Sequence, residues 1–132
     1  MRARYSLEPA IAREAAANAS AEAVQILKQA EQRAANAGSW DTYEANDYTF
    51  HRCVAEATGN VLLVSLFDHL NQVRRAVAWR QVIRKVERPP ADHPSFSEHT
   101  VILDAIEERD PPAAHAAMRA HLDSVSTRLF GD

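Results

Sequence analysis

A carboxylate lies in the middle of a helical stripe that is otherwise apolar or aromatic. Asp47 and His51 are four residues apart, so they project from the same face of a helix. At about 100° per residue, the same face carries four large side chains, those of Trp40, Tyr43, Phe50 and Val54. An ionised Asp is costly to bury unless a cation or several donors compensate it. The fold must therefore supply a partner for Asp47, and one metal ion bound by both Asp47 and His51 would do so.

The composition is that of one helical domain. Of 132 residues, 46% are hydrophobic and 25% are charged, and only three are glycine, which suits a single domain over residues 1–132 with a core of its own. The formal net charge is −3 with both signs interspersed, so the chain offers no basic surface for nucleic acid. No apolar run is long enough for a membrane span, and we see no targeting segment. With Cys53 as the only cysteine, we expect a cytoplasmic protein.

Helix start and stop signals divide the first half of the chain. Ser6 can cap a helix from residue 7 to about residue 18, with Pro9 in its first turn. Ser20 opens a second helix, which ends near Gly38. These two segments are rich in alanine, which permits close helix packing.

The third and fourth helices carry the most informative side chains. Asp41 and Glu44 have the spacing of a capping box for the third helix, and Gly59 ends it. Asn60 is the predicted N-cap of a long fourth helix. Its apolar stripe continues toward Ile83 through Leu63, Leu66, Phe67, Leu70 and Val73.

Three prolines in residues 87–94 predict a loop, which is the best hinge or lid candidate. Ser95 and Glu98 have capping-box spacing for the fifth helix, and Asp110 followed by Pro111 starts the sixth. We find no alternating pattern typical of a strand. The sequence therefore predicts an all-α fold, an antiparallel bundle of about six helices.

Two further histidines, His99 and His121, lie on the apolar stripes of the fifth and sixth helices. Together with Asp47 and His51, they could bind one divalent transition metal. Imidazole suits zinc, nickel or iron, and the carboxylate also permits manganese. A six-coordinate metal would keep two positions for water or a ligand carboxylate, whereas tetrahedral zinc would keep none.

Spacing alone does not select these four residues. His115 and His121 lie at opposite edges of the same stripe, so either could face the site, while His69 and His93 look like surface residues. Any one stripe histidine is also explained by a hydrogen bond to backbone inside the core. Three of them with a buried Asp in so short a chain are better explained jointly by a metal site.

Five segments resemble, in order, the motifs of a known family. They are RYSLEP at 4–9, DYTFH at 47–51, ATGN at 57–60, EHTVILDAI at 98–106 and RDPPAAHAAMRAHL at 109–122. The chain is similar in these segments to the FCD domain, the C-terminal effector-binding domain of FadR-type GntR transcription regulators. The match spans nearly the whole chain.

The resemblance implies a ligand set, because the family's metal-binding histidine precedes a leucine, as His121 does. Asp47, His51, His99 and His121 then occupy the family's four metal positions, with zinc or nickel favoured over manganese and iron. The family also implies a central metal and ligand cavity, a small carboxylate effector and a homodimer. Family members carry an N-terminal winged helix-turn-helix domain, which this chain lacks, so it would reach DNA only through a parent or partner protein.

Arg74 is the first candidate to bind an effector carboxylate, since a guanidinium on an apolar stripe is costly unless it meets an anion. Asn71, one turn away, and Arg4 are further candidates. Arg74 could instead reach solvent or pair with a structural glutamate. The resemblance therefore implies a metal-dependent organic-acid sensing domain, which controls DNA binding of a parent or partner protein allosterically, rather than an enzyme. The alternatives are a mononuclear metal-dependent hydrolase, with Glu44 or Glu98 as general base, and a bundle with a purely structural metal.

Overall fold

The computed structural model describes residues 1–77 and 86–131. This part of the chain contains no strand, and its helices are α1 Arg2–Asn18, α2 Ala21–Ala35, α3 Trp40–Ala57, α4 Val61–Val77, α5 Pro94–Glu107 and α6 Pro111–Phe130. The predicted all-α fold of six helices is thus confirmed. None of the helices described is long and apolar enough to cross a bilayer.

Three predicted caps start helices as expected. The Ser20 hydroxyl accepts a hydrogen bond from the Ala23 N–H at 3.0 Å, and a carboxylate oxygen of Asp110 accepts one from the Ala113 N–H at 3.1 Å. The side chain of Asn60 accepts from the first turn of α4. Each cap satisfies an N–H group that has no partner inside its helix.

The predicted start of α1 is wrong, because the helix begins at Arg2 and not after Ser6. The Ser6 hydroxyl lies inside the helix and donates to the Arg2 carbonyl at 3.2 Å. Pro9 therefore occupies the helix interior, where it supplies no N–H. The ion pair between Arg4 and Glu8, one turn apart, spans the residues just before this proline.

Two predicted capping boxes are also wrong. Ser39 caps α3, accepting from the Thr42 N–H at 3.1 Å, so Asp41 lies within the first turn. His93 caps α5, since its side chain accepts a hydrogen bond from the Ser95 N–H. Pro94 then takes the first helical position, which suits its fixed φ. The carboxylate of Glu98 is consequently not used for capping and points to α6 instead.

Helix α1 is the centre of the bundle and contacts α3, α4, α5 and α6. Short connections join α2 to α3, α3 to α4 and α5 to α6, and each of these pairs is packed together, which makes them antiparallel neighbours. In the described part of the chain, α4 contacts only α1 and α3. It therefore lies at the edge of the bundle.

The predicted core stripe of α4 is correct at Phe67, which is buried, but wrong at Leu66 and Val73, which are 45% and 50% exposed. Because α4 packs against the bundle on one side only, a stripe this wide cannot be buried completely. The predicted continuation toward Ile83 lies outside the described residues.

Candidate metal centre

Four side chains from three helices meet inside the bundle. Asp47 and His51 come from α3, His99 from α5 and His121 from α6, and one donor atom of each lies within 4.8 Å of all the others. Two donors bound to one ion at about 2.1 Å can be no more than about 4.2 Å apart, so the cluster needs only a small contraction to close on a metal. His115, the alternative on α6, is not part of the cluster.

Neighbouring side chains hold the three imidazoles in place. The ring of Phe50 stacks on His99 with centroids 4.4 Å apart, and the rings of His51 and His121 stack with centroids 5.2 Å apart. All three histidines are buried, whereas the side chain of Asp47, expected to be buried, is 28% exposed. The imidazoles thus lie within the core, and Asp47 closes the cluster on the side that solvent reaches.

Asp47 faces two of the imidazoles. Its Oδ1 atom lies 3.0 Å from Nε2 of His99 and 3.6 Å from Nε2 of His51. Burial raises the pKa of Asp47, but His51 and then His99 outweigh it and hold that pKa well below its usual range. Burial likewise lowers the pKa of His51, yet Asp47 and Glu8 raise it to about 9. These opposed shifts indicate a site that favours positive charge between its carboxylates.

A second layer of carboxylates contacts the outer nitrogens of the histidines. Oε1 of Glu8 lies 2.9 Å from Nδ1 of His51, and Oε1 of Glu98 lies 2.6 Å from Nδ1 of His121. Sequence reasoning did not identify Glu8. The signal for it was the spacing of Arg4 and Glu8, two opposite charges one turn apart on a helix whose other buried residues are small or apolar.

The pKa values of this layer follow from its neighbours. Burial raises the pKa of Glu8, but contacts with His51 and Arg4 lower it to about 2. Burial also raises the pKa of Glu98, and His121 with Ser124 lowers it to about 2. His121 itself has a pKa lowered by burial to about 4, despite the opposing effect of Glu98, so its imidazole is neutral at pH 7.

The ring nitrogens of His51 and His99 are buried, and none makes a well-directed hydrogen bond within the described residues, although carboxylate oxygens lie close to some of them. Buried polar groups without such partners are rare in native proteins. A divalent cation would use these lone pairs, and three imidazoles with one carboxylate suit zinc, nickel, iron or manganese. The residues present therefore fit a metal.

Arg74 approaches this centre from α4. Its Nη2 atom donates to the side-chain oxygen of the buried Asn71 at 2.9 Å, while its Nε atom is buried without a hydrogen-bond partner in the part of the chain described. The pKa of Arg74 is lowered by burial first and then by Arg4, against the attraction of Glu8 and Asp47. Arg74 is thus within electrostatic reach of the cluster.

The remaining predicted candidates lie elsewhere. His69 is exposed, as predicted. His93 is half-buried and packs against Tyr43 and Phe96, which corrects the surface position expected for it. Arg4 is buried, and its guanidinium binds Glu8, with Nε and Oε2 2.5 Å apart.

A surface cleft of about 410 Å³ between α2 and α3 contains none of the predicted site residues. It is lined by Gln29, Gln32, Arg33, Asn36, Ala37, Thr42 and Asn46. The central ligand cavity implied by the family resemblance stays a prediction.

Comparisons with known proteins identify the family of the chain. The family model for the FCD domain matches residues 1–124. The chain is 33% identical over 126 residues to the HTH-type transcriptional repressor NanR of Klebsiella aerogenes, covering 93% of this chain and 47% of that protein. It is 34% identical over 133 residues to the Uxu operon regulator of Haemophilus influenzae, covering 98% and 50%.

A solved structure of GntR from Streptococcus agalactiae has a TM-score of 0.71 and 30% identity, over 92% of this chain and 53% of that one. The chain thus spans about half the length of the relatives it matches. Their names are those of transcription regulators, in agreement with a regulatory domain and not an enzyme. The chain belongs to the FCD domain family and is related to GntR-type transcription regulators.

Proposed function

We propose that this domain senses a small organic acid through one divalent metal ion bound by Asp47, His51, His99 and His121. The observation that carries the proposal is a pair of buried Nε2 atoms, those of His51 and His99, that face Oδ1 of Asp47 at 3.6 and 3.0 Å and make no hydrogen bond within the described residues. Zinc or nickel is favoured, and iron or manganese also fits the donor set. A six-coordinate ion would leave two positions for a carboxylate.

Arg74 supplies the second anchor for the acid. Its buried Nε atom lacks a hydrogen-bond partner among the described residues, and Asn71 holds its other end. A guanidinium can donate two parallel hydrogen bonds to a carboxylate, and Asn71 can add one at the rim. Arg4, already bound by Glu8, contributes positive charge on the same side. The acid would thus lie between the metal and two arginines.

Binding would be transmitted by linkage. An acid that binds one packing of α3, α4, α5 and α6 more tightly increases the population of that packing. The size of the shift is set by the difference in the acid's binding free energy between the two states, and any second partner that distinguishes the two states is affected reciprocally. The parent protein would read this change in a separate winged helix-turn-helix domain. We place that protein in the cytoplasm, where its DNA target lies.

We also propose a homodimer with α4 at its interface. The outer face of α4 carries Leu62, Leu66, His69 and Val73, spaced by four, three and four residues, and its three apolar members are 45–66% exposed. This spacing is the same in both directions along the helix. Two antiparallel copies of α4 would therefore place Leu62 opposite Val73 and Leu66 opposite His69, as a two-fold interface requires.

The test is calorimetric titration of zinc-loaded and chelated protein with acetate, lactate, succinate and citrate. We expect at least one acid to bind the loaded protein, with affinity reduced at least 10-fold after chelation and in the R74M variant. Arg75 is the matched control, since it lies next in sequence but is exposed over the ring of Tyr48. R75M should bind normally. Equal binding with and without metal would exclude the metal from ligand recognition.

A purely structural metal is the second candidate, because the same four donors also join three helices in the core. This alternative gives a different result in the same experiment. Chelation would lower the melting temperature strongly, while none of the acids would bind the loaded protein.

A further inference from the structure

We infer that Glu8 is a positioning residue of the metal centre, acting on His51, and that Arg4 holds Glu8 in its working orientation. The inference rests on the proposed metal site. Through Glu8, helix α1 also takes part in the site, although none of the four proposed metal donors lies on it. Its evidence is the set of contacts between Glu8, Arg4 and His51 in the bundle interior.

Glu8 lies between a cation and an imidazole. Its Oε2 atom accepts from Nε of Arg4 at 2.5 Å, and its Oε1 atom is 2.9 Å from Nδ1 of His51. The side chains of Arg4 and Glu8 are only 6% and 3% exposed. A buried ion pair between a guanidinium and a carboxylate is retained at a desolvation cost, which indicates a role beyond joining two turns of α1.

The two nitrogens of His51 face different groups. Nδ1 is beside Glu8, whereas Nε2 is directed to Asp47 at 3.6 Å. His51 can bind an ion through Nε2 only as the neutral tautomer that keeps its proton on Nδ1, the nitrogen that lies beside Glu8. Outer carboxylates of this kind fix the ring and raise its basicity as a ligand. Glu8 thereby selects the tautomer of His51 that can bind the ion beside Asp47.

Arg4 fixes the carboxylate itself. With Oε2 bound to Arg4, the Oε1 atom is kept on the side of His51. Glu98 has the matching place beside His121, but it is partly exposed, and the guanidinium of Arg128 lies 3.6 Å from it. Of the two outer carboxylates, that of Glu8 is therefore the more firmly held.

The test compares zinc affinity, measured by competition with a chromogenic chelator, in wild-type, E8Q and E14Q proteins. Glu14 is an exposed glutamate on the same helix and serves as the control. We expect E8Q to bind zinc 10- to 100-fold more weakly and E14Q to equal wild type. Circular dichroism of the metal-free proteins tests whether E8Q retains the fold.

A second measurement needs no substitution. Long-range ¹H–¹⁵N NMR spectra of zinc-loaded wild-type protein should show a proton on Nδ1 of His51 and none on Nε2. The opposite tautomer, or zinc affinity of E8Q within twofold of wild type, would overturn the inference and leave the metal site standing. Failure of the wild type to bind zinc would overturn the metal site, and this inference with it.

Discussion

The ring of Phe50 lies nearly flat against the imidazole of His99, with centroids 4.4 Å apart and planes inclined by 19°. Both side chains are fully buried. The ring nitrogens of His99 make no hydrogen bond within the described residues. Its ring also meets the rings of His51 and His121 edge-on, with centroids 5.5 and 4.9 Å apart, so the stack on Phe50 is the closest of the ring contacts that orient His99 toward Asp47.

Replacing Phe50 by leucine should therefore affect both stability and metal binding. Loss of the aromatic contact and of part of the buried volume should cost about 1–2 kcal/mol of unfolding free energy, measured by urea denaturation. We also expect weaker zinc binding, because the imidazole gains freedom. Phe96, which contacts Tyr43 away from the cluster, is the control. If F50L and F96L bind zinc equally well, the stack does not position His99.

His115 and His121 on α6 provide a matched pair for the metal centre itself. H121A removes a donor of the cluster and should weaken zinc binding more than about 100-fold, beyond the range for outer partners. H115A should leave it unchanged, since His115 lies outside the cluster. The readout is the rise in melting temperature on adding zinc. Zinc at 100 times its dissociation constant would stabilise the folded protein by about 2.7 kcal/mol. Equal rises in both variants would contradict the ligand assignment.

Helix periodicity and capping predicted the fold well, because the six helices are separated by strong signals such as Ser20, Asn60 and the Asp110–Pro111 pair. The predicted starts of α3 and α5 failed because two start signals lay close together, whereas α1 begins at Arg2, before the cap predicted at Ser6. Ser39 precedes Asp41, and Pro94 precedes Ser95, and in each case the earlier residue starts the helix. Residue preferences alone do not say which of two neighbouring candidates is used.

The site required more than periodicity. Asp47 and His51 could be paired from spacing, because one helix holds both, but the choice of His121 over His115 depends on how α6 is rotated against α3 and α5. Glu8 was missed for a similar reason. Its partner His51 is 43 residues away, on another helix, and one sequence does not record such a contact.

Cys53 should react slowly with alkylating reagents. It is half-buried, and burial raises the pKa of its thiol, an effect to which Glu56 adds. The thiolate is the nucleophile, so a raised pKa leaves a smaller fraction of thiolate at pH 7. The labelling rate should also continue to rise up to a higher pH than it does for an exposed cysteine. Iodoacetamide labelling followed by mass spectrometry measures this rate, with urea-unfolded protein as the control. Equal rates in folded and unfolded protein would contradict the prediction.

Leu66 tests the proposed dimer, because it lies near the middle of the exposed stripe of α4, between Leu62 and His69. In the antiparallel packing a glutamate there would lie opposite His69, and the two substituted residues would come close to each other near the two-fold axis. They would lose hydration and repel each other, so L66E should be monomeric by light scattering where wild type is dimeric. Val101 on α5 is 56% exposed, against 45% for Leu66, and V101E should leave the dimer intact because it lies on another helix.

Cross-linking can then establish the direction of packing. In a C53S background, an equal mixture of the L62C and V73C proteins should form a mixed disulfide dimer, since antiparallel helices bring these two positions together. Each variant alone should cross-link poorly, because equivalent positions at the ends of the stripe are about 16 Å apart along the helix axis at 1.5 Å per residue. Efficient cross-linking of L62C with itself would instead indicate parallel packing and would exclude the proposed interface.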